Sequence, residues 1–312
     1  MRSPVPTLLR LLMLPRQIIP GRTYLITRRV ARRELRLKPS PVVNQLLLYC
    51  LAHAARKTGI EIHAFAFLSN HHHLIITDPD GRLPLFCQNF HGLVARALNC
   101  HQGRWEYLWA PGSYSAVHLE SAEDLLDKLE YLYVNPVSAG LVRRSTDWPG
   151  LISTPGDLAS KLKVGTRPSF FFSERTGCPR KIKMKLVYPR ILEGREENVI
   201  EALERRITIR ETLIGDRMIN EGRQFLGPDG VRAQSPFEFP KTSEPRRQLS
   251  PHLAARDVWR RIEALGQLVS FRQAYSSCRE RFFSGDRDVE FPLGSYGPRV
   301  LYGAKVQELA PG

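Results

Sequence analysis

The chain is short of cysteine pairing. Its five cysteines, Cys50, Cys87, Cys100, Cys178 and Cys278, are odd in number, and none forms a CxxC pair. A zinc ribbon or a disulfide framework is excluded on that spacing, and buried free thiols in a reducing cytoplasm are the simpler expectation. No GxxxxGK[ST] loop occurs, so the chemistry is not that of a P-loop nucleotidase. No apolar run is long enough to span a bilayer. The N-terminal stretch TLLRLLMLPRQIIP is broken by Arg10, and no small-residue cleavage site follows it. Residues 1–12 are expected to be a disordered extension, or an upstream start preceding Met13. Internal repeats and long low-complexity tracts are also missing.

What the chain has is positive charge. Across 312 residues the formal balance is +15 and the pI about 9.9. Residues 1–150 hold 18 Lys and Arg against 11 Asp and Glu, a balance of +7, and the remainder carries +8. No single tail owns the charge. A polyanionic partner touching both halves is the natural inference, with a basic protein lacking such a partner as the alternative.

The length fits two modules. Tyr24–Val30 reads as a strand rich in β-branched and aromatic residues, followed by a basic run of Arg28, Arg29, Arg32, Arg33, Arg36 and Lys38. Ser40 caps a helix that ends at Gly59. Ile60–Leu68 and His71–Thr77 alternate as a hairpin around Ser69-Asn70. Leu83–Cys100 is helical, Ser113–Leu119 a strand, and the segment after Ser121 a helix that Pro136 is expected to stop. The order β-α-β-β-α-β-α predicts an α+β fold, with a ferredoxin-like antiparallel sheet and helices. The character changes after Trp148-Pro149-Gly150. Three regions are therefore expected: an N-terminal extension (1–19), the α+β domain (20–150) and a basic, mainly helical C-terminal region (151–312) with helices at Glu196–Asn220 and Val258–Phe283.

Two places carry chemistry. In the triplet His71-His72-His73, strand alternation points His71 and His73 the same way and His72 to the other side. Two imidazoles one strand period apart can share a metal ion, and a polar strand start with exposed histidines is the alternative. In the helix after Ser121, the apolar stripe falls on Leu126, Leu129, Leu132 and Tyr133. Lys128, Tyr131 and Asn135 lie together on its flank, at three- and four-residue spacing. A core-edge tyrosine and a helix-end asparagine before proline are the alternatives there.

The segment SNHHHLIIT resembles the PNHxHLL element of single-tyrosine HUH transposases, and YLYVNPVSAGLV resembles their YIxxNPVRAGLV element. Together, in this order, they resemble the REP-associated tyrosine transposase group over about residues 20–150. GRTYLITRR resembles that family's first strand. EPRRQLSP and FPLGSYGPRV look like an extension found in one branch of such transposase-like proteins. The resemblance implies the HUH endonuclease fold, with His71, His73 and Asn135 as ligands of a divalent metal, Mg²⁺ or Mn²⁺, and Tyr131 as the nucleophile. Two positions depart from the pattern. His72 stands where a bulky apolar residue is usual, and a buried His72 needs a hydrogen-bond partner. Ser138 replaces the arginine of NPVRAG.

The implied activity is nicking and rejoining of single-stranded DNA, beside a hairpin or palindromic repeat, through a 5′-phosphotyrosine that stores the bond energy without ATP. An idle, transposase-derived nucleic-acid-binding regulator is the second reading. Arg28, Arg29, Arg32, Arg33 and Lys128 are the expected DNA contacts, with Trp105, Tyr107 or Trp109 as stacking platforms. A cytoplasmic monomer or homodimer is expected, with no membrane association.

Overall fold

The structure is a computed structural model. It describes residues 15–112, 114–159, 161–173, 175, 177–194, 196–240 and 252–308. The expected extension over residues 1–12 lies outside the described residues. The chain divides into two compact units, Arg22–Ala255 and the flanking pair Met1–Gly21 with Arg256–Gly312.

The larger unit is built on a sheet. Strands β1 (Arg22–Arg29), β2 (Glu61–Phe67), β3 (His71–Asp78) and β4 (Ser115–Leu119) alternate with helices α1 (Pro41–Thr58), α2 (Leu83–Gln102) and α3 (Ala122–Ser138) in the order the sequence predicts. The sheet order is β2-β3-β1-β4, with β1 antiparallel to both β3 and β4. Local sequence signals set the helix ends here. The Ser40 hydroxyl accepts from the Val43 N–H to start α1, and Gly59 ends it at φ 74°, a left-handed turn that costs glycine little. Ser121 caps α3 by accepting from the Asp124 N–H.

Pro136 does not stop α3. The helix runs on to Ser138 with the proline inside its last turn. Proline there removes one hydrogen bond, and the burial of Val134, Pro136 and Val137 outweighs it. Asn135 therefore sits in regular helix, one turn from Tyr131. The adjoining apolar stripe of α3 buries Leu125, Leu129, Leu132 and Tyr133 against Leu25, Ala64, Ala66 and Ile75 of the sheet, with Leu126 only partly covered. At about 1.5–3 kcal/mol for each fully buried side chain, this face fixes the helix on the sheet.

Residues 151–255 are part of the same unit. Strands β5 (Leu162–Thr166) and β6 (Lys181–Lys185) form a hairpin packed on α1. A Cβ at Gly165 would meet the Tyr49 Cα at 3.0 Å, so this close approach needs glycine. Helix α4 (Glu196–Asn220) lies along α3, where Arg206 pairs with Asp127 at 2.5 Å and Glu130 at 2.8 Å. After the short helix α5 (Gly227–Ala233), β7 (Leu253–Ala254) adds to the sheet edge parallel to β4. The change of character at residue 150 is thus not a boundary between compact units. In the smaller unit, helices α6 (Val258–Phe283) and α7 (Tyr296–Tyr302) enclose Phe282, Val289, Phe291 and Ala304. Gln17 pairs with Ser295 there, so residues 17 and 18, expected in the extension, belong to its packing.

A bulge between Ile62 and Ala64 sets His63 inside the unit. Its Nδ1–H donates to the Val187 carbonyl at 2.7 Å, and its Nε2 accepts from the Thr77 hydroxyl at 2.7 Å. Burial lowers its pKa to about 4, from an ordinary 6.5. The unfolded chain then binds the extra proton first. The stability contributed is complete above pH 6.5 and is lost as pH falls toward 4, a swing of about 3 kcal/mol. Denaturant unfolding between pH 7 and 4.5 should show the wild type losing more stability than His63→Gln by roughly that amount. Parallel pH profiles would count against the buried neutral imidazole.

Candidate active site

The register of the sheet determines what meets α3. On β3, His72, Leu74 and Ile76 face α1 and α2, while His71, His73 and Ile75 face α3. On β1, Thr27 pairs with His73 and Arg29 with His71. The rings of His71 and His73 are 4.9 Å apart, centroid to centroid. The ring of Tyr131 stands 5.2 Å from that of His73, edge to face. The Asn135 Nδ2 lies 3.2 Å from the His73 Nε2. Lys128 places its ammonium 5.9 Å above the Tyr131 ring. Two imidazoles, an amide, a phenol and an ammonium, 64 residues apart from first to last, share one face of the fold.

Burial separates these side chains. His73 is 3% exposed, and loss of solvation, with smaller contributions from His71 and His72, holds its pKa well below the ordinary imidazole range. The ring is therefore neutral at neutral pH. Its Nδ1 meets the Thr27 hydroxyl at 2.8 Å, and the His71 Nδ1 meets the Asn70 Oδ1 at 2.7 Å. Tyr131 is 49% exposed and open to a polymer. Tyr133, two residues on, is buried with its hydroxyl donating to the Thr154 carbonyl, and burial pushes its pKa upward.

His72 is fully buried, and one of its two ring nitrogens finds a partner while its Nδ1 has none. Its Nε2 lies 2.9 Å from the Nε2 of His91 on α2, inside a box made by Phe67, Phe90 and Trp109. An imidazole thus fills the place of a bulky apolar side chain. His91 carried no sequence signal beyond its place among the apolar residues of α2.

The basic residues divide. Arg29 is exposed beside His71. Arg32 and Arg33 hold left-handed φ of 52° and 62° in a turn pinned by Val30 N–H to the Asn70 carbonyl and Ala31 N–H to the Leu108 carbonyl. Such backbone costs a non-glycine residue about 1–2 kcal/mol and persists where the surroundings enforce it. Arg28 points the other way. It stacks at 5.6 Å on Trp109, and burial lowers its pKa. Arg36 is buried against Asn99 and Gln102. Among the aromatic candidates, Trp105 is 95% exposed and Tyr107 largely exposed, whereas Trp109 is buried with its indole N–H on the His91 carbonyl. A cavity of about 630 Å³ opens behind α3, between Tyr133, Arg143, Arg144 and α4, and includes none of the clustered groups.

Among the described residues no three His, Cys, Asp or Glu side chains converge. The donor set facing α3 is two imidazoles and an amide. No described helix is long and apolar enough to cross a membrane.

No protein-family model matches the chain. The REP-associated tyrosine transposase of Escherichia coli (strain K12) is 26% identical over 134 residues, which are 43% of this chain and 78% of that protein. A solved structure of the REP-associated tyrosine transposase bound to a REP hairpin is 25% identical, with a TM-score of 0.41. The match covers 47% of this chain and 85% of that one. The chain is similar to REP-associated tyrosine transposases.

Proposed function

We propose that this protein nicks and rejoins single-stranded DNA beside a hairpin, with Tyr131 as the nucleophile. The observation that carries the reading is the convergence of His71, His73, Tyr131 and Asn135 across β3 and α3. The donor set suits a divalent cation. Neutral His73, His71 and the Asn135 amide oxygen, once the amide turns, would hold Mg²⁺ or Mn²⁺ and leave positions open. When bound, the cation would draw charge from the scissile phosphate. The Tyr131 oxygen attacks phosphorus and loses its proton, the P–O3′ bond breaks, and the 3′ oxygen leaves and takes up a proton. A 5′-phosphotyrosine and a free 3′-hydroxyl remain, and the reverse attack rejoins the strand. An unaided phenol, with a pKa near 10, is a poor nucleophile, so holding Tyr131 beside the phosphate supplies the proximity that chemistry needs. The Lys128 ammonium over the ring favours the phenolate that forms.

Denaturing electrophoresis of the protein with end-labelled hairpin single-stranded DNA and Mn²⁺ tests this directly. A covalent band that needs both the metal and the hairpin is the expected result. Tight binding with no covalent band would instead mark an idle, DNA-binding descendant of such an enzyme.

Phosphate contacts follow from Arg29, Arg32 and Arg33 near the site, with Trp105 and Tyr107 as exposed surfaces for bases. Affinity for DNA should fall steeply with salt. Changing the three arginines to Gln should flatten the log–log slope by about 2–3, close to one unit per phosphate contact. Arg28→Gln should leave the slope alone, because its guanidinium lies on Trp109. An unchanged slope in the triple variant would move the DNA elsewhere, for instance to the basic segment Arg180–Arg190.

A further inference from the structure

A neutral imidazole has one lone pair, and the partner of its protonated nitrogen decides which nitrogen offers it. At His71 the Nδ1 meets the Asn70 Oδ1, an acceptor, at 2.7 Å. The Asn70 amide is turned that way by its own Nδ2, which donates to the Arg33 carbonyl at 3.4 Å, while the Asn70 carbonyl accepts from the Val30 N–H. The His71 Nδ1 therefore carries the proton. At His73 the Nδ1 meets the Thr27 hydroxyl at 2.8 Å, and the Nε2 receives the Asn135 Nδ2 at 3.2 Å. A nitrogen that accepts from an amide N–H holds a lone pair, so Nδ1–H donates to Thr27.

We infer that Asn70 and Thr27 are positioning residues that hold His71 and His73 in the Nδ1–H form, so that both rings present Nε2 lone pairs toward α3. The inference rests on the metal-assisted reading of this site. The two partners come from different parts of the fold. Asn70 lies in the turn between β2 and β3, and Thr27 lies on β1, opposite His73 in the ladder. Asn70 directly precedes the histidine triplet in the motif SNHHH. Thr27 has no motif, and only the register of β1 against β3 brings it to the ring. His72 is held from the opposite face by His91, so each histidine of the triplet has its own partner and the three rings cannot exchange roles.

The test reads the rings without metal. Long-range ¹H–¹⁵N spectra of labelled, metal-free protein distinguish the two neutral forms. Nδ1–H is expected at both His71 and His73. Thr27→Val keeps the side chain's shape and removes the hydroxyl. It should shift His73 toward Nε2–H, and calorimetry with Mn²⁺ alone should show affinity lowered about 10–100-fold, the usual cost of losing a ligand's orienting partner. The melting temperature should stay near the wild-type value. Thr27→Ser should restore both ring form and affinity, and Asn70→Asp should preserve His71 where Asn70→Leu does not. Nε2–H at either ring in the wild type, or unchanged spectra and Mn²⁺ affinity in Thr27→Val, would overturn the assignment. A wild-type protein that took up no Mn²⁺ would overturn the metal reading, and the spectra would still report the ring forms separately.

Discussion

Tyr131→Phe should bind Mn²⁺ and hairpin DNA as the wild type does, yet form no covalent adduct. The substitution removes one oxygen from a half-exposed ring and leaves its edge contact with His73 in place. Stability should change by no more than about 0.5 kcal/mol, as for ordinary surface substitutions. Cleavage should fall by at least roughly 10³-fold, because no neighbouring hydroxyl can replace a nucleophile that acts as part of a set. Tyr133 is the nearest alternative, and it is unsuited. Its hydroxyl is buried on the Thr154 carbonyl, and burial disfavours its phenolate. Tyr133→Phe should keep adduct formation and lose about 1 kcal/mol of stability with that hydrogen bond. Quantified adduct yield beside a denaturation curve separates the two variants.

The histidine triplet should divide in the same way. His71→Ala should abolish cleavage and lower Mn²⁺ affinity at least about 10²-fold, beyond the loss expected for an outer-shell partner. It should unfold close to the wild-type midpoint, since His71 is only partly buried. His73→Ala should lose metal and activity too, with some loss of stability because that ring is enclosed. His72→Ala should do the reverse. It empties a box lined by Phe67, Phe90 and Trp109 and strands His91, at a cost of about 3 kcal/mol. At temperatures where it stays folded, it should still bind Mn²⁺. Loss of metal binding in His72→Ala with retention in His71→Ala would mean that the strand faces are exchanged.

The parts of this arrangement that sequence makes legible are periodic ones. Strand alternation alone separates His71 and His73 from His72, and helical spacing alone brings Lys128, Tyr131 and Asn135 to one flank, because both regularities are properties of the backbone. Pairing between elements is not local. Thr27 reaches His73 only through the β1–β3 ladder, and His91 reaches His72 only when α2 packs beneath β3, so neither carries a signal in its own segment. The same reason hides the division of the arginines. Arg28 and Arg29 look equivalent in the chain, yet adjacent positions on a strand take opposite faces. The local effect of Pro136 predicts a helix end, and the burial around it keeps the helix going to Ser138. The hairpin β5–β6 is hidden by composition. LKVGT and KIKMK lie in a stretch rich in Ser, Gly, Lys and Pro, and only the alternation that buries Ile182 and Met184 marks a strand.

Peptide mapping of the adduct trapped on hairpin single-stranded DNA with Mn²⁺ tests the central assignment most directly. The nucleotide mass is predicted on the peptide containing Tyr131 and on no other tyrosine. Its appearance on a different tyrosine, or the release of free 5′-phosphate equally well by Tyr131→Phe, would contradict the mechanism.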